Sequence, residues 1–158
     1  MESLDYKFDF RDERNLSLVM DFYELTMSQC YFNSDHKDRI VTFDLFYRKN
    51  PDNGGYAVFA GLEEIIGYIQ NLHFEDEDIA YLRSLHKFSE EFLDYLRHFI
   101  FTGDIYAIAE GTVVFPREPL LKVKAPIMEA QLVETALLNI INHQSLIATK
   151  ASRVVYAA

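Results

Sequence analysis

Residues 101–153 constrain the fold more than any other part of the chain. Residues 104–109 alternate β-branched and aromatic side chains with small or polar ones, and Glu110-Gly111 interrupts the run where a turn is required. Residues 112–115 form the return strand, so the pattern predicts a short hairpin. Residues 120–124 alternate again, and we expect them to form a third strand.

A long helix follows these strands. Pro126 stands just before the helical pattern, a position that tolerates a fixed φ and a missing N–H donor. Apolar residues then recur at helical spacing, at Val133, Leu137, Ile140 and Ile141. Small residues further on, Ala148, Ala151 and Ser152, predict that another element approaches closely. The pattern reaches residue 158 without a helix stop signal, and we expect these residues to be the front part of a longer protein.

An earlier helix is predicted to begin at Asp21. Asp21 and Glu24 have the spacing of a capping box, in which each side chain accepts the other residue's backbone N–H. One stripe of this helix contains Tyr23, Thr26, Met27, Cys30 and Tyr31. The ordinary interpretation of such a stripe is core packing, so from spacing alone Tyr23 is first a packing residue.

The middle of the chain reads as strand, loop, strand and three helices. Residues 40–47 predict a strand with both faces partly covered, and residues 56–59 a short one. The glycine-rich loop between them, residues 50–55, does not have phosphate-loop spacing, which favours a plain turn. Helices are predicted after Gly61, over residues 76–85 and after Ser89.

Composition excludes several functional classes. The chain has 158 residues and a net charge of -10 without a long basic run, which argues against binding to nucleic acid or to an anionic membrane. No signal peptide and no membrane-spanning run is visible. Cys30 is the only cysteine, which excludes an internal disulfide and is typical of a cytoplasmic protein.

The five histidines do not have metal-site spacing, so no metal site is expected. Nucleophile-elbow, phosphate-loop and zinc-protease motifs are also missing from the sequence. The residues alone therefore predict no complete catalytic apparatus.

Four blocks of sequence resemble, in order, the N-terminal part of nicotinate phosphoribosyltransferases. They are NLSLVMDFYELTMSQCYF at 15–32, FDLFYRKNPDNGGYAVFAGLEE at 43–64, FTGDIYAIAEGTVVFPREPLLKVKAPIMEAQLVET at 101–135 and LLNIINHQSLIATKASR at 137–153. The resemblance implies the family's reaction. In it, nicotinate and phosphoribosyl pyrophosphate give nicotinate mononucleotide and pyrophosphate, coupled to hydrolysis of ATP with Mg, in NAD salvage.

The resemblance also implies an α+β architecture. Residues 1–16 would be an N-terminal arm and residues 17–126 the sandwich-like α+β domain of a type II phosphoribosyltransferase. Residues 127–158 would be the helical segment leading into an α/β barrel that binds phosphoribosyl pyrophosphate. The family's phosphorylated histidine and its phosphate-binding segments would lie beyond residue 158. The resemblance therefore implies no catalytic residue in this chain, which would be inactive alone.

One binding residue is implied by the resemblance. The family's Asp-x-Tyr-x-x-Thr-Met motif is matched by Asp21, Tyr23, Thr26 and Met27, and its tyrosine lies against the nicotinate ring in a site shared between subunits of a dimer. Lys150 and Arg153 are weaker candidates for phosphate or carboxylate binding. A related enzyme acting on quinolinate or nicotinamide, and a non-catalytic binding module, remain as alternatives.

Overall fold

The computed structural model describes residues 15–158. The predicted arm lies outside the described residues as far as residue 14. In chain order the elements are α1 Phe22–Phe32, β1 Ile40–Phe46, β2 Ala57–Val58, α2 Leu62–Asn71, α3 Asp76–Ser84, α4 Glu90–Arg97, β3 Asp104–Ala107, β4 Val113–Val114, β5 Pro119–Pro126 and α5 Ile127–Ala157. A short 3₁₀ turn, Pro51–Asn53, lies between β1 and β2.

The larger sheet has the strand order β1-β5-β3, with both pairings antiparallel. The face of β1 that carries Leu45 packs on the core, because Leu45 and its partner Leu121 on β5 are both buried. The opposite face is open, since Ile40 is 56% exposed and Phe46 is 42% exposed. The prediction that both faces of β1 are partly covered is therefore wrong.

The hairpin predicted for residues 104–115 does not form. β3 pairs with β5, whereas β4 pairs with β2 in a separate two-stranded sheet. The chain bends at the predicted corner, where Gly111 has a φ of +79° and donates its N–H to Phe59 O at 2.8 Å. At this turn the chain leaves the larger sheet and enters the two-stranded sheet, so β3 and β4 do not pair with each other.

Helix α5 crosses the core and is continuous over 31 residues, which confirms the predicted long helix. Its buried side chains include Leu132, Val133, Leu137 and Ile141, each at most 2% exposed. The sheet, α1 and α2 all contact it. Within residues 15–158 no helix, α5 included, combines the length and the apolar character needed to cross a membrane.

The small sheet is completed by hydroxyl groups of α5. Val58 N–H donates to Thr149 Oγ1 at 2.8 Å, and Ala60 N–H donates to Ser145 Oγ at 2.9 Å. Ser152 Oγ also lies 3.2 Å from the Tyr56 hydroxyl. Of the small residues at which a close approach was predicted, Ser152 contacts the segment before β2, whereas Ala151 is exposed.

The three predicted middle helices are present. Ser89 Oγ accepts the Phe92 N–H at 3.2 Å and caps α4. The N-terminus of α2 is capped by a residue that is distant in sequence. Glu110 Oε1 accepts the N–H groups of Gly61 and Leu62 at 2.5 and 2.6 Å. A carboxylate in this position satisfies orphan donors and suits the positive end of the helix dipole.

Close packing at Gly103 gives a stability prediction. A Cβ there would collide with Ala125 Cβ and would lie 2.9 Å from Lys124 O, so the backbone of β5 would have to move. We expect Gly103→Ala to lower the free energy of unfolding by about 1–3 kcal/mol in urea titrations. The matched control is Gly67→Ala inside α2, where nothing lies within 4 Å and helix propensity adds about 0.5–1 kcal/mol. Equal stability of the two variants would contradict the packing argument.

Candidate functional site

Tyr23 lies in the first turn of α1, and its side chain is 45% exposed. The predicted capping box is present, and it starts the helix at Asp21 as expected. The stripe that contains Tyr23 faces outward, since Met27 is 38% exposed and Cys30 is exposed. The buried residues of α1 are Glu24, Leu25 and Ser28. Core packing, the interpretation from spacing alone, is therefore wrong for Tyr23.

The Tyr23 phenol interacts with Glu134 on α5. Partial desolvation raises the pKa of Tyr23, and the charges of Glu134 and Glu24 and a hydrogen bond to Glu134 raise it further. The phenol therefore stays protonated at neutral pH, next to the Glu134 carboxylate. Gln131 Nε2 donates to the same carboxylate at 2.9 Å, which fixes its orientation.

Glu24 joins α1 to α5 beneath Tyr23. Its side chain is fully buried, and Oε1 accepts both the N–H of Thr135 at 3.0 Å and its hydroxyl at 2.9 Å. Oε2 accepts the Asp21 N–H at 3.2 Å. Burial raises the pKa of Glu24 to about 7, although the Thr135 and Asp21 bonds oppose that shift.

The interior near Glu24 contains further polar groups. Tyr68 on α2 is 8% exposed, and burial followed by the Glu24 charge raises the pKa of its phenol. Among residues 15–158, neither the Tyr68 hydroxyl nor Ser28 Oγ has a hydrogen-bond partner. Buried hydroxyls in such a position are usually satisfied by internal water.

A pocket of about 360 Å³ opens between β1, β5 and α5. Its walls are mainly apolar and include Phe43, Leu45 and Val123, while Asp44 and Glu134 provide carboxylates. The residue that meets the Tyr23 phenol therefore also lines this pocket. A planar ring with a polar substituent is the kind of molecule that such a surface favours.

The weaker candidates lie elsewhere. Arg153 Nη2 donates to Tyr56 O at 3.2 Å, and its guanidinium stands 5.7 Å from the Tyr56 ring centre. A Cβ on Gly54 would collide with this guanidinium, so Arg153 and the glycine-rich loop pack together. Glu134 and Arg153 are separated by about 28 Å of helix at a rise of about 1.5 Å per residue, so Arg153 and Tyr23 do not share a site. Lys150 is exposed and lies near Arg153, in the C-terminal part of α5.

Sequence reasoning missed Glu134 and the second role of Glu24. The capping box explained Glu24 locally, and its other partner lies 111 residues further along the chain. No spacing rule connects residues so far apart. Among residues 15–158 no group of three or more histidine, cysteine, aspartate or glutamate side chains could hold a metal ion.

The buried carboxylate gives a pH prediction. The pKa of Glu24 in the folded chain, about 7, is above its ordinary 4.5, so folding favours the protonated form. The stability that results is complete below the ordinary value and is lost as pH rises through 7. We expect the free energy of unfolding in urea to fall by about 2 kcal/mol from this group between pH 5.5 and pH 8. Glu24→Gln should remove that part of the pH dependence, and an unchanged pH profile would refute the assignment.

Comparisons with known proteins agree with this architecture. Residues 18–142 match the family model described as nicotinate phosphoribosyltransferase (NAPRTase) N-terminal domain. Nicotinate phosphoribosyltransferase of Bacillus subtilis (strain 168) is 47% identical over 148 residues, which are 94% of this chain and 30% of that protein. Nicotinate phosphoribosyltransferase 1 of Arabidopsis thaliana is 45% identical over 138 residues, covering 86% of this chain and 25% of that protein.

Solved structures show the same relationship. The crystal structure of human nicotinic acid phosphoribosyltransferase matches with a TM-score of 0.79 and 32% identity, over 86% of this chain and 28% of that chain. Nicotinate-nucleotide pyrophosphorylase from Pyrococcus furiosus shares the fold, with a TM-score of 0.59 and 20% identity over 85% of this chain and 28% of that chain. The predicted α+β fold is confirmed, and the chain spans less than a third of the length of these proteins. It belongs to the nicotinate phosphoribosyltransferase family, in the part that forms the N-terminal domain.

Proposed function

We propose that this chain is the N-terminal part of an enzyme that joins nicotinate to phosphoribosyl pyrophosphate, giving nicotinate mononucleotide and pyrophosphate for NAD salvage. The observation that supports the proposal most strongly is 47% identity to the Bacillus enzyme over nearly the whole chain. The relatives are more than three times as long as the matched region, so we assign phosphate chemistry to the remainder of such an enzyme. ATP, with Mg, is its proposed co-substrate, and no residue of this chain is assigned to either.

We assign Tyr23 to the substrate. Its half-exposed ring offers a flat face for a pyridine, and its hydroxyl end lies next to the Glu134 carboxylate. The outward position at the start of α1 suits a site shared between the subunits of a homodimer. The proposal divides the chain as the sequence suggested, with an arm at 1–16, the α+β domain at 17–126 and the leading helix at 127–158. It places the enzyme in the cytoplasm, where an unpaired cysteine such as Cys30 is usual.

The test is a phosphoribosyl-transfer assay on the product of the complete gene and on residues 1–158 alone. We expect nicotinate mononucleotide from the complete product, more of it with ATP, and none from residues 1–158. Product from quinolinate or nicotinamide instead of nicotinate would overturn the substrate assignment. No transfer to any of the three pyridines would overturn the enzymatic function.

Tyr23 provides the residue-level prediction. We expect Tyr23→Ala to raise KM for nicotinate about tenfold, because a ring stacking interaction is worth roughly 0.5–1.5 kcal/mol beyond the area that it buries. Tyr23→Phe keeps the ring and should retain most of the affinity. Tyr106→Ala on β3 is the matched control, because that tyrosine is comparably exposed at 55% and lies on a different element. A Tyr23→Ala enzyme with an unchanged KM would contradict the assignment.

A further inference from the structure

Glu24 is an unusual group to find inside this domain. A fully buried carboxylate is costly unless each of its oxygen atoms is bonded. Here Oε1 accepts two bonds from Thr135 and Oε2 accepts one from Asp21. The side chain therefore connects the first turn of α1 to the N-terminal third of α5.

The two ends of this connection stand next to the two residues of the candidate site. Tyr23 precedes Glu24 on α1, and Glu134 precedes Thr135 on α5. Any shift of α1 along α5 would therefore change the position of the phenol relative to Glu134. The apolar contacts between the helices are non-directional, whereas hydrogen bonds fix distance and angle and therefore define the alignment more narrowly.

We propose that Glu24 is a positioning residue for the pyridine-binding tyrosine: by bonding Thr135 it holds α1 on α5 so that the Tyr23 ring presents its face to the substrate. This inference rests on the proposed function, because it takes Tyr23 to be the substrate contact. Glu24 itself, being fully buried, does not touch the substrate. A small displacement of a side chain that contacts the substrate lowers the reaction rate strongly. The Glu24–Thr135 hydrogen bonds can therefore affect the reaction without touching the substrate.

Glu129 on α5 is another buried carboxylate that is bonded to a threonine, and it provides a control for Glu24. Glu129 is 6% exposed and accepts the N–H of Thr102 at 2.6 Å and its hydroxyl at 2.9 Å. This pair ties the segment before β3 to α5 and has no bond to α1 among those described. Loss of Glu129 should cost stability much as loss of Glu24 does, but it should not move Tyr23.

The kinetic experiment compares Glu24→Gln with Glu129→Gln in the product of the complete gene. Glutamine has one side-chain acceptor oxygen in place of two, so Glu24→Gln cannot bond both Thr135 and Asp21 as the carboxylate does. We expect kcat/KM for nicotinate to fall about tenfold in Glu24→Gln, with KM for phosphoribosyl pyrophosphate within twofold of the parent. Glu129→Gln should leave both values unchanged. Equal losses in the two variants would show a merely structural role and overturn the proposal.

Three further variants test the inference more closely. Thr135→Val removes the hydroxyl donor and should reproduce part of the Glu24→Gln loss, whereas Thr135→Ser keeps the donor and should restore it. In a Tyr23→Ala background, Glu24→Gln should cause no further loss, because the side chain that it positions is gone. Additive losses in the double variant would contradict positioning through Tyr23.

A measurement without turnover separates this inference from the proposed function. 3-Fluorotyrosine is placed at residue 23, and the ¹⁹F resonance of the folded protein is recorded in each background. Glu24→Gln should shift or broaden the resonance, and Glu129→Gln should not. If the parent protein transfers no phosphoribosyl group, the proposed function fails, while the resonance still decides whether Glu24 sets the Tyr23 environment. An unchanged resonance in Glu24→Gln would overturn the inference.

Discussion

Burial of the apolar face of α5 is the interaction on which the rest of the described structure depends. The residues that form this face, among them Leu132, Leu137 and Ile141, are essentially inaccessible to solvent. β1 and β5 cover the helix from one side, and α1 and α2 also pack against it. Helix α5 therefore links elements from early and late parts of the described sequence in one core.

Polar bonds along the same helix decide where each element sits. Glu129 holds the segment before β3, Thr135 holds α1, and Thr149 holds β2. The Tyr47 hydroxyl adds a bond to Asn142 O at 2.9 Å. Apolar burial provides most of the free energy of docking, whereas these bonds select one alignment from many that would bury similar area.

Local patterns were sufficient to predict the elements but not their partners. The capping box at Asp21, the cap at Ser89 and the turn at Glu110-Gly111 are short-range chemistry, and all three appear where the sequence places them. The hairpin failed because adjacent strands were assumed to pair, whereas β5 lies between β1 and β3 and β4 joins β2. Strand partners depend on the packing of the whole chain, which a local alternation does not record.

At the candidate site, too, local sequence patterns did not reveal the partners of the residues. A family motif pointed to Tyr23, but helical spacing placed it on the wrong face, because the buried face of α1 contains the polar residues Glu24 and Ser28. Those residues weaken the contrast between the two sides of the helix. The Glu24 carboxylate is stable in the protein interior because Thr135 on α5 donates hydrogen bonds to it. The periodicity of α1 alone contains no information about that partner.

The hydroxyl groups that complete the small sheet have a consequence for the dynamics of the domain. β2 and β4 share only two residue pairs, and the N–H groups of Val58 and Ala60 bond to side chains of α5. Exchange of these two amide protons with solvent therefore requires the helix to lift away, and their protection factors measure the free energy of that opening. In isotope-exchange terms, the two amides belong to the same cooperative unit as the C-terminal half of α5, although the backbone assigns them to a strand and its flank.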